Sequence, residues 1–155
     1  MAIKAIITDF SRVILFPRDP NYVGSLNKLH DEKHSEENYN FWQYFSLNSQ
    51  LLDYFELLKQ KYEIYLFTTG KTQEYSGLRT KLFGLFEQVF TVEDLGIEKN
   101  RQDAYTKLAD KIGRKTDEIL FVDDRQENLD AAKLAGMSVC LFVNNQSLVQ
   151  FINQL

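Results

Sequence analysis

Asp9 closes the apolar run IKAIITDF. A carboxylate at the end of a buried strand can serve as a nucleophile, a metal ligand or a strand cap. Three further polar signals stand where apolar runs stop: Thr68-Thr69-Gly70 after IYLF, Asp123-Asp124 after ILFV, and Lys99 in EKNRQDAY. Carboxylates gathered in one crevice repel unless a cation joins them, and a hard cation such as Mg²⁺ prefers oxygen ligands. A threonine hydroxyl with the backbone N–H groups after it makes a small anion cradle. A lysine ammonium adds a point charge for a phosphate or for the nucleophile. An aspartate beside a metal and a lysine can attack phosphorus and form an aspartyl-phosphate. Singly, each residue has an ordinary explanation: Asp123-Asp124 can cap a helix, Thr-Thr-Gly is a common loop, and Lys99 can be a solvated charge.

Two residues after Asp9, where an acid would share its side of an extended backbone, stands Ser11. A serine is no general acid at neutral pH, and proton transfer of that kind contributes roughly 10²–10⁴ in rate. Arg12 follows; a positive φ there would strain an arginine and rearrange the loop. Arg12, Lys71 and Arg125 are cations that could touch an anionic substrate or simply lie in solvent. His30 and His34, in the polar stretch HDEKH, are expected to be exposed; their spacing suits a metal pair, but no third ligand is evident.

The elements that must carry these residues follow from hydrophobic periodicity. Five β-branched or aromatic runs read as strands: Ile3–Thr8, Ile64–Thr68, Gln88–Thr91, Ile119–Val122 and Val139–Val143. Between them lie helical stripes: Leu51, Leu52, Phe55, Leu58 and Tyr62 behind an Asn48 or Ser49 cap; Tyr105, Leu108, Ala109 and Ile112 up to Gly113; and Leu129, Ala132 and Leu134 up to Gly136. A last helix runs over 148–155. Alternating strands and helices predict one α/β domain over 1–155, a three-layer α/β/α Rossmann-like sandwich with a parallel sheet. Ligands of such sheets bind outside the carboxyl ends of the strands, where all four signals fall. The exception to the alternation is the segment 16–47, with both prolines, both histidines and the aromatics Tyr39, Phe41, Trp42, Tyr44 and Phe45. Directly after the first strand, it reads as a short cap or lid that selects substrate, or as packing helices. So short an insert predicts an open site that admits larger substrates.

Composition narrows the partners. The chain has 155 residues, 18 basic and 22 acidic, for a net charge of -4, with no cationic cluster of the kind nucleic acid requires. The single cysteine, Cys140, lies in SVCLFV and reads as a small buried hydrophobe. No apolar run approaches the roughly 20 residues of a membrane helix, and MAIKAIITDF lacks a signal-peptide core. A cytoplasmic location without membrane or nucleic-acid partners is expected. The oligomeric state stays open, with a homodimer through the aromatic segment one possibility.

These motifs resemble, in order and spacing, those of the haloacid dehalogenase-like (HAD) hydrolase superfamily. IITDFSRVIL is similar to its first motif, YLFTTG to the second, Lys99 in EKNRQDAY to the third, where relatives often read KPDPxxY, and FVDDRQENLDAAKLAGM to the fourth. The resemblance implies Asp9 as nucleophile, Thr68 and Lys99 as its catalytic partners, and Phe10, Ser11, Thr69 and Gly70 around the phosphate. It further implies Mg²⁺ held by Asp9, Asp123, Asp124 and the backbone carbonyl of Ser11, with Asn128 in support, and strand order 5-4-1-2-3. The expected activity is Mg²⁺-dependent hydrolysis of a small phosphorylated metabolite. Most HAD phosphatases carry Asp-x-Asp where this chain has Asp9-Phe10-Ser11. The epoxide-hydrolase-like branch includes small-residue variants there, and its DDRQEN-type fourth motif is similar. Ser11 and Arg12 also admit a second reading, a HAD-fold protein that binds metal or phosphate and acts as a binding or regulatory partner. A response-regulator receiver shares Asp, Thr and Lys, but orders them in reverse.

Overall fold

The three central strands are apolar on both sides, and that decides the architecture. A computed structural model describes residues 2–155. In chain order it contains β1 (Ala5–Thr8), β2 (Leu15–Pro17), α1 (Leu26–Lys33), α2 (Phe41–Tyr44), β3 (Phe45–Leu47), α3 (Ser49–Leu58) and β4 (Glu63–Thr68). There follow α4 (Ser76–Leu82), β5 (Gln88–Thr91), α5 (Val92–Leu95), α6 (Gln102–Ile112), β6 (Ile119–Asp123), α7 (Gln126–Leu134), β7 (Ser138–Leu141) and α8 (Asn145–Ile152).

Successive side chains leave a strand on opposite faces. Ile6, Ile64, Leu66, Leu120 and Val122 therefore pack with Leu51 and Phe55 of α3, Leu78 of α4 and Leu148 of α8. Ala5, Ile7, Phe67, Ile119 and Phe121 enter a second core with α5, α6 and α7. The main sheet is parallel in the order β5-β4-β1-β6-β7, the expected 5-4-1-2-3 order seen from its other edge. Thr8 lies level with Leu66 on one side and Val122 on the other, so the end of β1 sits between the ends of β4 and β6.

The local signals act as their chemistry requires. The Asn48 side chain accepts the Leu51 N–H and starts α3, and Gly113, at φ 68°, ends α6 in the left-handed region. Several details differ from the sequence reading, among them the last helix, which spans Asn145–Ile152 where 148–155 was expected. The β1 ladder begins at Ala5 instead of Ile3, and β7 runs over Ser138–Leu141, leaving Val143 exposed. Leu134 closes α7 in solvent, 71% exposed, where a buried stripe position was expected. The insertion has structure of its own: β2 pairs antiparallel with β3, and α1 and α2 lie between them. No helix among the described residues is long and apolar enough to cross a membrane.

Candidate active site

Asp9 leaves β1 with its N–H still bonded to the Val122 carbonyl of β6, at 2.8 Å. Asp123 is the last residue of β6, so the two carboxylates emerge side by side at the carboxyl edge of the sheet. Lys99 reaches them from the turn before α6. Its Nζ donates to Asp9 Oδ1 at 2.6 Å and to Asp123 Oδ2 at 3.2 Å, and all three residues are buried. The ammonium lies 5.0 Å from the centre of the Phe67 ring and 5.7 Å from that of Phe121. These aromatic neighbours exclude water and strengthen the ion pairs.

Asp123 is fixed from two further sides: the Arg125 N–H donates to Oδ1 at 2.9 Å and Asn128 Nδ2 to Oδ2 at 3.0 Å. Neither aspartate caps α7, whose N-cap position is Arg125 without a side-chain bond. Tyr105 donates its hydroxyl to the Lys99 carbonyl at 2.6 Å and thereby holds the lysine turn against α6. Asp9, Asp123 and Asp124 each present a carboxylate oxygen within 4.8 Å of the others, the one such group of potential metal ligands among the described residues. An all-oxygen, half-open cluster fits a hard divalent cation.

The electrostatics match this crowding. Burial pushes the Asp9 carboxyl up to about 7; Lys99 opposes the rise and the Asp123 charge adds to it. Asp124 is also raised, by burial and then by Asp123. Burial disfavours the charge on Lys99, but Asp9 and Asp123 outweigh it, and the ammonium is held more firmly than a free lysine's. Metal-free, the cluster carries more negative charge than one lysine offsets, and a proton on Asp9 relieves it.

The site opens into a cavity of about 660 Å³. Asp9, Ser11, Thr68, Thr69, Lys99 and Asp124 line its floor. The insertion supplies one wall, from Val23 to Asn27, and Glu98, Asn100, Arg125, Glu127 and Asn128 the other.

Two expected phosphate neighbours do not face the cavity. The Phe10 ring is fully buried in the core, so only its backbone, whose N–H is aimed at the Asp9 carboxylate, can serve the site. Gly70 has a different reason to be glycine: a Cβ there would lie 2.2–2.6 Å from the Asn27 side chain. It lets α1 dock, and Thr72 Oγ1 donates to Asn27 Oδ1 at 2.6 Å beside it. Of the cations singled out, Lys71 pairs with Glu93, and Arg125 lines the cavity while pairing with Glu127. Arg12 takes φ 62°, the left-handed conformation that costs a non-glycine residue roughly 1–2 kcal/mol.

His30 is half-buried, contrary to expectation. Its Nδ1 is 2.8 Å from the Tyr39 hydroxyl, and the rings of Phe41, Phe45 and Tyr75 surround it. Burial, and then the His34 charge, lower its pKa. The aromatics of the insertion pack on one another and on Tyr75, and none lines the cavity. The sequence reading gives 16–47 as a cap or lid but points to its aromatics, not to Val23–Asn27, and it misses the role of the Tyr105 hydroxyl. The signal for the latter is a tyrosine in an apolar helical stripe six residues after Lys99.

A family model described as haloacid dehalogenase-like hydrolase matches residues 18–136. The chain belongs to the haloacid dehalogenase-like hydrolases. Among curated relatives, the enolase-phosphatase E1 of Gluconobacter oxydans (strain 621H) is 42% identical over 62 residues, 40% of this chain and 26% of that protein. The enolase-phosphatase E1 of Aquifex aeolicus (strain VF5) is 31% identical over 100 residues, 56% of this chain and 42% of that protein. The chain thus spans less than half the length of these curated relatives. A HAD family enzyme from Bacteroides thetaiotaomicron, solved with magnesium and inorganic phosphate, shares the fold with a TM-score of 0.70 at 14% identity, over 96% of this chain and 99% of that one. A HAD-superfamily hydrolase, subfamily IA, variant 1, from Geobacter sulfurreducens PCA superposes with a TM-score of 0.71 at 16% identity, over 99% and 100% of the two chains.

Proposed function

We propose that this HAD-like hydrolase is a Mg²⁺-dependent phosphatase that cleaves a small phosphomonoester through an aspartyl-phosphate on Asp9. The observation that carries the reading is the buried Asp9–Lys99–Asp123 array on the cavity floor, with Asp124 beside it. The enolase-phosphatase relatives and the magnesium–phosphate complex of a structural neighbour support the same chemistry.

In this reading the deprotonated Asp9 attacks phosphorus, and the bond from phosphorus to the leaving oxygen breaks. The Lys99 ammonium holds the nucleophile in place and offsets charge on the phosphoryl group. Thr68 and Thr69 orient the phosphoryl oxygens. Water then cleaves the aspartyl-phosphate, releasing inorganic phosphate and restoring Asp9. Asp9, Asp123, Asp124 and the Ser11 carbonyl would hold Mg²⁺, which supplies positive charge against the clustered carboxylates and the phosphate. Tyr105, Asn128 and the Arg125 N–H keep Lys99 and Asp123 in register.

Ser11 supports a second reading, a metal- or phosphate-binding protein of slow or no turnover, because no carboxyl stands at the usual acid position. One experiment separates the two: hydrolysis of a panel of metabolite phosphomonoesters with Mg²⁺, wild type against Asp9→Asn. The phosphatase reading expects turnover that falls by about three orders of magnitude or more in the variant. Activity that survives Asp9→Asn would remove Asp9 as nucleophile. No turnover of any ester, with Mg²⁺ binding intact, would leave the binding protein.

A further inference from the structure

Arg12 occupies a backbone conformation in which glycine would be comfortable and arginine is strained, with φ at 62°. Its side chain explains why an arginine is there. Nη2 donates to the carbonyl of Tyr22 at 3.1 Å and to that of Gly24 at 2.7 Å, spanning ten and twelve residues of chain. Those carbonyls flank Val23 and lead directly into Ser25, whose side chain caps α1. The segment they fix is the wall of the cavity facing Asp9. The other end of that wall is held from the neighbouring strand loop, where Thr72 binds Asn27 and Gly70 makes room for it. The wall is therefore tied at one end to the turn after Asp9 and at the other to the loop after Thr68. Within it, Tyr22 Oη donates to the Ser25 carbonyl at 3.0 Å, so the loop is compact as well as anchored.

We infer that Arg12 is a positioning residue that latches the loop 22–27 over the nucleophile, so that this insertion meets the substrate as a fixed wall and selects on the leaving group. Selection here rests on the phosphatase reading; the latch itself does not. Nη2 is committed to the two carbonyls, while Nε and Nη1 keep three N–H donors and Arg12 itself lines the cavity. The latch acts through the loop, and phosphate inhibition separates it from an anion-binding charge.

The test uses the whole chain. Arg12→Gly removes the latch and relieves the left-handed strain, so the variant is expected to fold. Arg12→Lys keeps the charge without the guanidinium. Backbone ¹⁵N relaxation is expected to give rigid order parameters, near 0.85, for residues 23–26 of the wild type and values below about 0.6 in Arg12→Gly. With p-nitrophenyl phosphate, KM should rise at least about five-fold while kcat changes less than about two-fold. Inhibition by inorganic phosphate, which fills only the floor of the site, should stay within about two-fold in both variants.

Unchanged order parameters in Arg12→Gly would overturn the latch. A loosened loop with unchanged KM would overturn its part in selection. Phosphate inhibition that is lost in Arg12→Gly and kept in Arg12→Lys would make Arg12 an anion-binding charge instead. A wild type without turnover defeats the phosphatase reading, and the relaxation measurement still decides the latch.

Discussion

The rim of the sheet and the insertion that overhangs it are held together by different means. On the rim, Lys99 bonds an aspartate ninety residues away, and Asp9, Asp123 and Thr68 share one edge because three neighbouring parallel strands end there. In the insertion, several contacts are local: His30 with Tyr39 nine residues on, Tyr44 with Glu36 eight residues back, and Phe41 stacked on Phe45. Leu26, Phe41 and Phe45 also join the core on one face of the sheet. The insertion's polar ties to the rim are at Arg12 and Asn27. The rim's chemistry thus follows from the sheet. The insertion can change its surface while those ties hold, an arrangement that keeps one reaction and varies what is admitted to it.

Four changes would break or sharpen that contrast. Ser11→Asp restores a carboxyl to the rim, and turnover should rise by about 10²–10⁴ if the acid is all that is missing. An unchanged kcat in steady-state assays would place the obstacle in the turn around Arg12. Phe41→Ala empties the centre of the insertion, where Phe41 packs between Phe45 and Tyr75. It should lower unfolding free energy by roughly 3–5 kcal/mol in denaturant titrations. Calorimetric Mg²⁺ affinity should barely move in the same variant; a parallel loss would mean that the two regions are one cooperative unit.

The third change is pH. Asp9 is raised from 3.8 to about 7, so between those values the folded, metal-free protein retains a proton that the unfolded chain has released. Its melting temperature in chelator should therefore fall as pH rises from about 4 to about 7. Mg²⁺ competes with that proton, and its affinity should climb by up to about tenfold per pH unit until about pH 7. A melting temperature independent of pH over this window would show Asp9 ionised throughout. The smallest effect belongs to Tyr105→Phe, which removes one buried hydrogen bond from the Lys99 carbonyl. It should cost about 1 kcal/mol in thermal unfolding, and a larger loss would mean that the lysine turn collapses with it.

The legibility of the two regions differs for the same physical reason. Strand ends announce themselves: an apolar run stops, a polar residue of definite chemistry follows, and the sheet order makes such residues neighbours. Asp9, Thr68 and the Asp123-Asp124 pair are readable in this way, and Lys99, in the turn before α6, only through its company with them. Aromatics carry no such direction, since Phe41 and Tyr39 fit a substrate or one another equally well by composition. The structure turns them inward, and His30 goes with them, out of the solvent its polar neighbours suggest. A glycine beside two threonines resembles an anion loop, while the side chain Gly70 makes room for lies in Asn27, distant in sequence. Helices α4 and α5, seven and four residues long, are too short to show helical periodicity in the sequence.

The hydrogen bond from the Asp9 N–H to the Val122 carbonyl extends the central ladder into the site itself. The Asp9 backbone therefore has no private flexibility. Its amide should exchange with solvent only when the sheet opens as a whole, at the free energy of global unfolding. Mild heat or denaturant would then subtract active molecules from the population and leave each survivor fully competent, where a site carried on a loop would fade gradually.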